Sequence, residues 1–474
     1  MSTPIARLFG LIVLLFLVLV VWTSRWTVFQ ASTLKNNPLN VRTLLDELKI
    51  KRGRIVAGDG TVLARSVSAA GHTWSRTYPT GSLFAQPVGY SIPAQGRAAG
   101  LELSRGQELR GLQTGISSVF GPLGGTPPIG DDVYTTLDSK AQRAAEQALG
   151  GQHGAVVALD PRTGAVKVMY ANPSYNDNDV NAKGAGLSTF NRTTQGSYAP
   201  GSTFKIVTAI AGIDSGKYTP ASTINGNSPL TVSGVPLAND GGQSYGPVSF
   251  TTAMTFSINT VFAQVAENVG RATMTDYMKR LGFYAKPPLD YPPNEINVSR
   301  PYSPNGKPYH AGSPAEDIGR IGIGQGGLLV TPLQMAMVAA AVANHGTLMT
   351  PHLASRVVNP EGQTVQTISP TVQSQVMKSS TAAGVTQMME KVVEEGTGTP
   401  VQIPGVTIAG KTGTAQIGAT GSNLTQPAFV AFAPAQNPKV AIAVMVDQSQ
   451  GGFGATVAAP IARAVLQVLL SEGK

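Results

Sequence analysis

The sequence predicts an α+β protein built on an antiparallel sheet, with a β-rich stalk and an apolar N-terminal helix before it. Strand patterns at both ends of residues 136–474, with helical patterns between them, predict this class. The first pair of strands, 154–170, surrounds the turn sequence Asp160-Pro-Arg-Thr-Gly164. The last strands are expected at 406–416, 428–432 and 440–446, followed by an apolar helix at 457–470.

The N-terminal segment 8–22 carries no charge and is almost wholly apolar. Its length lies between that of a signal-peptide core and a membrane span of about 20 residues. No small-residue cleavage site follows directly, and Trp22, Arg25 and Trp26 are residue types typical of a bilayer interface. We therefore expect an uncleaved, single-pass membrane anchor. Charge does not fix its orientation, because Arg25 balances Arg7.

The amino-acid composition argues against several classes of function. The 474 residues allow about two or three domains, and the 13% of charged residues indicates a globular protein. The net charge is +9, but the basic residues are scattered, which favours weak attraction to an anionic surface over nucleic-acid binding. The absence of cysteine excludes disulfides and thiol catalysis. The five histidines are not spaced like the ligands of a metal ion, and we predict no metal and no cofactor. The histidines are His72, His153, His310, His345 and His352.

Three domains are expected: a cytoplasmic tail and membrane anchor at 1–29, a stalk at 30–135 and a catalytic domain at 136–474. The stalk segment is rich in Gly, Pro, Ser and Thr. Short apolar runs flank its turn sequence Gly58-Asp-Gly60, which indicates short strands joined by turns. A helix is expected at the start of the catalytic domain, over 136–150.

A nucleophile beside a possible base is predicted in the stretch Tyr198-Ala-Pro-Gly-Ser-Thr-Phe-Lys205. Apolar residues recur at helical spacing after it, as far as Gly216, so Ser202 and Lys205 are expected in the first turn of a buried helix. Residues three apart share a helical face, which lets the Lys205 amine reach the Ser202 hydroxyl. The unpaired N–H groups of the helix start favour an anion formed next to the serine.

A second motif, Ser257-Ile-Asn259, lies between two helical segments at 250–255 and 260–266. Residues two apart do not share a helical face, but a short turn between helices aims both side chains into one cleft. The same S-x-N pattern occurs at Ser174-Tyr-Asn176 and Ser303-Pro-Asn305. Those two copies lie in loops rich in Pro and Asn, so we assign the motif to the first.

A third motif, Lys411-Thr-Gly-Thr414, lies inside an apolar strand pattern. In a strand, Thr412 and Thr414 point to one face, while Gly413 exposes bare backbone. An extended peptide is therefore expected to lie against this strand.

Three competing patterns are assigned no function. Ser32-Thr-Leu-Lys35 has no helix start, and Gly242-Gln-Ser-Tyr-Gly246, which fits a nucleophile elbow, has no strand before it. Gly322-Ile-Gly-Gln-Gly-Gly327 fits a dinucleotide-binding fingerprint, but no strand precedes it and no acidic residue follows near the required position. We interpret it as a tight turn before a helix at 332–344.

With these residues placed, the chain resembles the class B penicillin-binding proteins, the monofunctional D,D-transpeptidases of bacterial cell-wall synthesis, and most closely the actinobacterial penicillin-binding protein A type. The agreement covers nearly the whole length. It implies a transpeptidase domain with the penicillin-binding and serine β-lactamase-like fold. Ile258 stands where β-lactamases carry Asp. Beyond the three motifs, the matching stretches are Arg52-Gly-Arg-Ile55, Gly100-Leu-Glu102, Leu109-Arg-Gly111 and Gly322-Ile-Gly-Gln-Gly326 with Thr331-Pro-Leu-Gln334.

The resemblance implies acyl transfer. The serine would attack the bond between the last two D-alanines of a peptidoglycan stem, and an amine of a neighbouring stem would then complete the crosslink. β-Lactam antibiotics would acylate the same serine. The implied roles are nucleophile for Ser202, base for Lys205, proton relay for Ser257, contact with the acyl backbone for Asn259, a charge near Ser257 for Lys411, carboxylate binding for Thr412 and Thr414, and an oxyanion hole of the Ser202 and Thr414 N–H groups.

Other functions stay open at this point. A D-alanyl-D-alanine carboxypeptidase or a β-lactamase would use the same motifs, and Glu295 follows Ser257 at a distance that suits a deacylating glutamate. The sequence 292–297 lacks the E-x-x-x-N pattern, however. A β-lactam-sensing receptor would be expected to carry several membrane spans or a zinc-protease region, and neither pattern is present.

The substrate class also predicts location and partners. A peptidoglycan substrate requires the catalytic domain to be extracytoplasmic, on a single-pass anchor in the cell membrane. The chain has too little unassigned length for a glycosyltransferase domain, so we expect the stalk to dock on a membrane-embedded, SEDS-type glycosyltransferase. The sequence does not separate elongation, division and sporulation, and it does not identify the acceptor amine.

Overall fold

The structure is a computed structural model that describes residues 3–30, 47–112, 128–182, 184, 186–417 and 423–471. Its strands are short in the first part of the chain and long in the last part. They are β1 (Ile55–Val56), β2 (Val62–Ala69), β3 (Thr73–Thr77), β4 (Ser91–Ile92), β5 (Arg97–Ala98), β6 (Asp132–Thr135), β7 (Gly154–Leu159), β8 (Val166–Asn172), β9 (Thr223–Asn225), β10 (Leu230–Val232), β11 (Val235–Leu237), β12 (Pro247–Ser249), β13 (Arg300–Pro301), β14 (Leu328–Leu329), β15 (Thr347–Met349), β16 (Ala354–Val358), β17 (Thr364–Thr367), β18 (Val372–Gln375), β19 (Ala409–Gln416), β20 (Leu424–Ala433), β21 (Val440–Val446) and β22 (Ser449–Gln450).

The helices concentrate between the strand pairs, as the sequence predicts. They are α1 (Thr3–Ser24), α2 (Ala85–Val88), α3 (Gly100–Ser104), α4 (Ser139–Leu149), α5 (Arg192–Gln195), α6 (Lys205–Asp214), α7 (Phe250–Thr255), α8 (Asn259–Val269), α9 (Arg271–Arg280), α10 (Ile318–Ile321), α11 (Pro332–Ala343), α12 (Ser379–Glu394) and α13 (Ala459–Ser471). The helix expected at 136–150 begins later, because Asp138 accepts a hydrogen bond from the N–H of Ala141 and caps α4.

The catalytic sheet has the order β19-β20-β21-β7-β8, and each neighbouring pair is antiparallel. This confirms the α+β class and the antiparallel sheet. α11 is buried along its whole length and packs on β20, β21 and β7, whereas α13 packs on β21 and α4. Among the described residues, β19 pairs only with β20, so its other edge is free for an incoming chain.

A second sheet, with the order β17-β16-β6-β1-β2-β3, forms the stalk. β16 pairs antiparallel with β6, from Ala354 opposite Thr135 to Val358 opposite Asp132. The stalk sheet therefore includes two strands that come from within 136–474, after α11. Sequence patterns do not predict that the chain comes back to the stalk sheet after α11, because the pairing of distant strands leaves no local signal. The domain boundaries themselves stay a prediction.

The buried carboxylate of Glu102 holds the stalk together. Its oxygens accept from the guanidinium groups of Arg52, at 2.7 Å, and Arg76, and the Glu102 side chain is 0% exposed. Burial alone would raise the pKa of Glu102, but the charges of Arg76 and Arg52 lower it below its usual value. The stabilisation is therefore present above the ordinary pKa of a glutamate and is lost as pH falls through the lowered folded-state pKa.

We expect Glu102→Gln to destabilise the stalk by about 3 kcal/mol, because it leaves two buried guanidinium groups without a counter-charge. Calorimetric melting of the wild type and the variant tests this. Glu361→Gln is a matched control, because Glu361 is exposed in the turn between β16 and β17. An unchanged melting profile for Glu102→Gln would contradict the structural role assigned to this ion pair.

The N-terminal apolar segment forms one continuous helix. The candidate membrane span is Thr3–Thr27, with 25 residues, a mean hydropathy of 2.8 and no buried residue, which suits a membrane anchor. A second candidate, Gly454–Ser471, is 39% buried, and its α13 part packs on the catalytic sheet, so it is a core helix.

Candidate active site

The serine lies in a tight turn and not in an α-helix. A 3-10 turn covers Gly201–Phe204, and α6 begins only at Lys205, so the helix predicted from Ser202 starts three residues later. Gly201 has φ +50°, and a Cβ on it would lie 3.0 Å from the Thr414 carbonyl oxygen. The turn is tight because its backbone is pressed against β19. Ser202 itself is half-buried.

The Lys205 amine is completely buried and points at the S-x-N motif. Its Nζ donates to the Ser257 carbonyl oxygen at 2.7 Å, to Ser257 Oγ at 3.1 Å and to Asn259 Oδ1 at 2.7 Å. Within the described residues it makes no hydrogen bond to Ser202, although the spacing predicted that contact. Burial lowers the pKa of Lys205 far below its ordinary value, and the nearby charge of Lys411 lowers it further, against a small opposing effect of Asp240.

The S-x-N motif lies in a strained turn between two helices, as predicted. α7 ends at Thr255 and α8 begins at Asn259. Ser257 has φ +58°, a left-handed conformation that is rare for residues with a side chain, and its N–H donates to the Met254 carbonyl oxygen at 3.2 Å. This conformation directs both the carbonyl and the hydroxyl of Ser257 at Lys205.

The third motif lies on the edge strand β19. Lys411 is 0% exposed, and its Nζ donates to the carbonyl oxygen of Thr412 at 3.1 Å. Burial lowers the pKa of Lys411 to about 7, so its charge is partly lost at neutral pH. Gly413 has no room for a side chain, because a Cβ would lie 2.7 Å from the Pro200 carbonyl oxygen. The serine turn therefore packs directly on this strand.

Both threonine hydroxyls of β19 already have partners. Thr412 Oγ1 lies 2.6 Å from Thr397 Oγ1, and Thr414 Oγ1 accepts from the Gly454 N–H at 3.1 Å. Each hydroxyl oxygen is thereby held at a fixed place. A ligand that binds here would meet both oxygens along the strand.

The three motifs, far apart in the sequence, form one site. The serine turn contacts β19, Lys205 bonds to Ser257 and Asn259, and the charge of Lys411 acts on Lys205. A half-buried serine hydroxyl, three residues before a buried amine of lowered pKa, suits nucleophilic catalysis. In the part of the chain that the structure describes, no group of three or more His, Asp or Glu side chains is placed to hold a metal ion.

Comparison with known families agrees with this geometry. A family model described as penicillin binding protein transpeptidase domain matches residues 154–467. The chain belongs to this family. A second model, described as penicillin binding protein A dimerisation domain, matches residues 52–133 of this penicillin-binding protein. The resemblance stated from the sequence is confirmed.

The PbpA relatives of this penicillin-binding protein are similar to it over nearly their full length. It is 34% identical to the peptidoglycan D,D-transpeptidase PbpA of Mycolicibacterium smegmatis, with 100% of both chains covered. Its structure is similar to that of penicillin-binding protein A from M. tuberculosis in a ceftriaxone acyl-enzyme complex, with a TM-score of 0.79 and 30% identity over 90% of this chain and 100% of that one. The D,D-transpeptidase domain of a peptidoglycan glycosyltransferase from Eggerthella lenta gives a TM-score of 0.75 and 32% identity over 90% and 99%.

The glycine-rich segment 322–327 of this penicillin-binding protein also belongs to the site, although its pattern predicted only a tight turn before a helix. The Gly201 N–H donates to the Gly324 carbonyl oxygen at 3.1 Å, and a Cβ on Gly324 would lie 1.9 Å from the Gly201 carbonyl oxygen. The serine turn is thus held between β19 and this segment. The density of glycines was the available signal, but its spacing fits several motifs.

Glu295 bonds through its carboxylate to the Gly100 N–H of the stalk, at 3.2 Å, so it serves the contact between stalk and catalytic domain. Gly242 ends a 3-10 turn and the segment after it is a loop, as predicted. Ser32 and Lys35 lie outside the described residues.

A second missed residue, Asn239, caps helix α8 from another loop. Ile258 stands at the N-cap and has no polar side chain, and the Thr260 N–H donates instead to Asn239 Oδ1 at 2.9 Å. Asn239 is 4% exposed, and its Nδ2 donates to the carbonyl oxygens of Gly226 and Gln243. These bonds hold the start of α8, and with it Asn259, in position beside Lys205.

We expect Asn239→Ala to slow acylation by a penicillin about tenfold, because the uncapped helix start lets Asn259 move away from Lys205. Stopped-flow acylation rates, measured with the melting temperature of each variant, test this. Asn227→Ala is the control, because Asn227 is exposed in the same loop region. An unchanged rate in a folded Asn239→Ala protein would contradict the positioning role.

We expect Lys411→Met to move the pH midpoint of acylation to higher pH. The positive charge of Lys411 disfavours protonation of Lys205, so its removal raises the pKa of Lys205 toward the ordinary lysine value. Because a base must be neutral to accept a proton, the active form then appears only at higher pH. The acylation rate as a function of pH gives the midpoint, and the exposed Lys279→Met is the control. A midpoint that stays or falls would refute the coupling.

Proposed function

We propose that this penicillin-binding protein is a serine D,D-transpeptidase that crosslinks peptidoglycan stem peptides and is inhibited by β-lactams. The observation that carries the proposal is the pair of fully buried amines, Lys205 and Lys411, beside the Ser202 turn at a free strand edge. The named activity of PbpA relatives at 34% and 33% identity over nearly their full length supports the same conclusion.

Acylation begins when Ser202 Oγ attacks the carbonyl carbon between the last two D-alanines of the donor. Neutral Lys205 accepts the hydroxyl proton, and its low pKa keeps it neutral beforehand. Ser257 Oγ, 3.1 Å from Lys205 Nζ, passes that proton to the leaving amine. The C–N bond breaks, D-alanine leaves, and an ester to Ser202 remains. An amine of a second stem then attacks the ester and regenerates the hydroxyl.

The oxyanion is proposed to accept hydrogen bonds from the N–H groups of Ser202 and Thr414. Within the described residues, the Ser202 N–H has no hydrogen-bond partner. Thr414 pairs with Pro427 of β20. Because Pro427 has no N–H to donate, this pair suits a position at which the two residues do not exchange backbone hydrogen bonds. At such a position the Thr414 N–H points toward the free edge of β19. One such donor is commonly worth about 10²–10³ in rate.

The terminal carboxylate of the donor is proposed to bind at Thr412 and Thr414, near Lys411, while Gly413 lets the serine turn pack closely on the same strand. Lys411 has a pKa of about 7 without a ligand. An anion placed beside it raises that pKa, so substrate binding restores the positive charge that the family resemblance implies at this position. Asn259, whose amide Nδ2 donates to the Ala238 carbonyl oxygen at 3.2 Å, is proposed to contact the acyl backbone.

The product distinguishes the transpeptidase from a carboxypeptidase, a β-lactamase and a β-lactam sensor. A stem-peptide donor with a second stem as amine acceptor is incubated with the full-length protein, and crosslinked dimer and free D-alanine are measured by mass spectrometry. We expect dimer formation that requires Ser202. Alanine release without dimer would indicate a carboxypeptidase, turnover of penicillin a β-lactamase, and a stable adduct without stem turnover a sensor.

We further propose that α1 is a single-pass anchor with the catalytic domain outside the cytoplasm, and that 30–135 acts as the stalk between them. The stalk is proposed to dock on a membrane-embedded SEDS-type glycosyltransferase. Protease protection in spheroplasts tests the orientation. Purification of the full-length protein from membranes without a polytopic partner would count against the docking proposal.

A further inference from the structure

Two side chains hold the segment that leads into the serine turn. The Tyr198 hydroxyl donates to Asp447 Oδ1 at 2.6 Å, and the Ala199 N–H donates to Gln426 Oε1 at 3.0 Å. Gln426 Nε2 also donates to the Asp447 carbonyl oxygen at 3.1 Å, which joins the two contacts. The residues just before the turn are therefore tied to the catalytic sheet by side chains.

Both holding residues belong to the interior of the catalytic sheet. Asp447 directly follows β21, and its N–H donates to the His153 carbonyl oxygen at 2.8 Å, just before β7. Its carboxylate also accepts from Arg192 Nε at 2.9 Å. Gln426 lies within β20, opposite Ala415 of β19. The places of Asp447 and Gln426 are thus fixed by strand pairing.

Tyr198 is held through both its backbone and its ring. Its backbone exchanges two hydrogen bonds with Val330, at 2.9 and 2.8 Å, and the residue is 4% exposed. Burial and the Asp447 carboxylate raise the pKa of Tyr198 far above its ordinary value, against a smaller effect of Arg192. The hydroxyl therefore keeps its proton and remains a donor to Asp447.

The hold on this segment reaches Ser202 through a short and stiff connection. Ser202 follows Ala199 by three residues. Pro200 has φ −70°, which its ring fixes, and Gly201 is kept in a left-handed conformation against β19. A displacement of Ala199 therefore displaces Ser202 as well.

Gln426 links the two halves of the proposed oxyanion hole. Its backbone is paired with Ala415, the neighbour of Thr414, and its side chain holds Ala199. Two oxyanion donors are effective when each lies about 2.7–3.1 Å from the same oxygen. The separation of the Ser202 and Thr414 N–H groups therefore depends on how far the serine segment stands from β19 and β20.

We propose that Gln426 and Asp447 are positioning residues for acyl transfer, which set the separation of the two N–H groups that stabilise the oxyanion. The proposal rests on the proposed function, which assigns these groups to Ser202 and Thr414. Gln426 and Asp447 act through the serine segment and need no contact with substrate. Loss of the hold then slows the chemical step, because a displacement of about 1 Å can cost roughly 10² in rate.

The experiment separates the chemical step from binding in the full-length protein. Stopped-flow acylation by benzylpenicillin gives the acylation rate constant and the Kd of the non-covalent complex. We expect Gln426→Leu and Tyr198→Phe each to lower the rate constant about tenfold, while this Kd changes by less than about twofold. Asp447→Asn keeps an acceptor oxygen for Tyr198, so it should retain more of the rate than Asp447→Ala.

Gln436→Leu is the matched control for Gln426→Leu. Gln436 is exposed in the turn between β20 and β21, and its side chain bonds to Glu390. The melting temperature of every variant is measured. Tyr198→Phe keeps the buried ring, so it tests the proposal even if Gln426→Leu does not fold.

The carbonyl stretch of the acyl-enzyme ester reports the oxyanion hole directly, because hydrogen bonds to a carbonyl oxygen lower its stretching frequency. Infrared difference spectra with penicillin labelled with ¹³C at the reacting carbonyl measure this band. We expect a lowered frequency in the wild type and a shift to higher frequency in Gln426→Leu. A loss of stability alone does not move this band in the folded protein.

The outcomes separate the positioning role from the proposed function. A lowered wild-type band that is unchanged in Gln426→Leu and Tyr198→Phe, with unchanged rate constants, overturns the positioning role alone. A weaker Kd with an unchanged rate constant also overturns it, because the two residues would then contribute to binding. A wild-type band at the frequency of the denatured acyl-enzyme would contradict the oxyanion hole of the proposed function, and the positioning role with it.

Discussion

A Ser202→Ala variant is expected to form no covalent adduct with a fluorescent penicillin, whereas the wild-type chain is labelled. The ester of the acyl-enzyme needs the serine oxygen, and alanine offers no atom that can replace it. Lys205 and Lys411 stay in place, so the variant still binds the drug without reacting. In-gel fluorescence and the intact mass of the full-length protein measure the adduct.

Ser215→Ala is the control for this result. Ser215 is an exposed serine directly after the same helix, α6, and its replacement leaves the turn at Gly201–Phe204 untouched. We expect it to be labelled at the wild-type rate. An adduct on the folded Ser202→Ala protein, mapped by peptide mass to another residue, would overturn the assignment of the nucleophile.

Lys205→Met is expected to slow acylation by about 10²–10⁴, which is the usual contribution of a positioned general base. Met has a similar length, so the buried space stays filled, but no amine remains to accept the Ser202 proton. The hydrogen bonds to the Ser257 carbonyl and to Asn259 Oδ1 are lost at the same time. Stopped-flow acylation with benzylpenicillin measures the rate.

Lys205→Arg separates a base from a structural cation. Arginine can keep a positive charge and donate to Asn259, but it stays protonated at every working pH. We therefore expect it to be as slow as Lys205→Met. Recovery of the wild-type rate in Lys205→Arg would show that the charge and not the basicity matters. The exposed Lys217→Met, twelve residues along the chain, should leave acylation unchanged.

The position of the lysine explains why its contacts differ from the expected ones. Spacing of three residues predicted an amine beside Ser202, as it would be in a regular helix. The serine lies instead in a 3-10 turn that is packed tightly between Gly324 and β19. The Lys205 amine forms its hydrogen bonds with the S-x-N motif. The proposed role of Lys205 as the base therefore requires its amine or the Ser202 hydroxyl to move, because the structure has no hydrogen bond between the two groups.

Local patterns predicted most elements of the catalytic domain. The hairpin β7–β8, the buried helix α11 and the strands β19 to β21 follow from apolar periodicity and turn residues. The motifs that contain Lys205 and Ser257 are neighbours in space, since Lys205 Nζ donates to Ser257 Oγ and to Asn259 Oδ1. Their catalytic roles remain proposals until the variants are measured.

Residue patterns alone predicted a serine nucleophile beside a possible base, and the resemblance to class B penicillin-binding proteins that these motifs carry implied acyl transfer. Four features became visible only in the folded chain: both amines are buried, Asn239 caps α8, glycines from two distant segments compress the serine turn, and β16 and β17 join the stalk sheet. These features depend on contacts between segments far apart in the chain. Burial and strand pairing of that kind follow from how the whole chain packs, and no short window of sequence contains them.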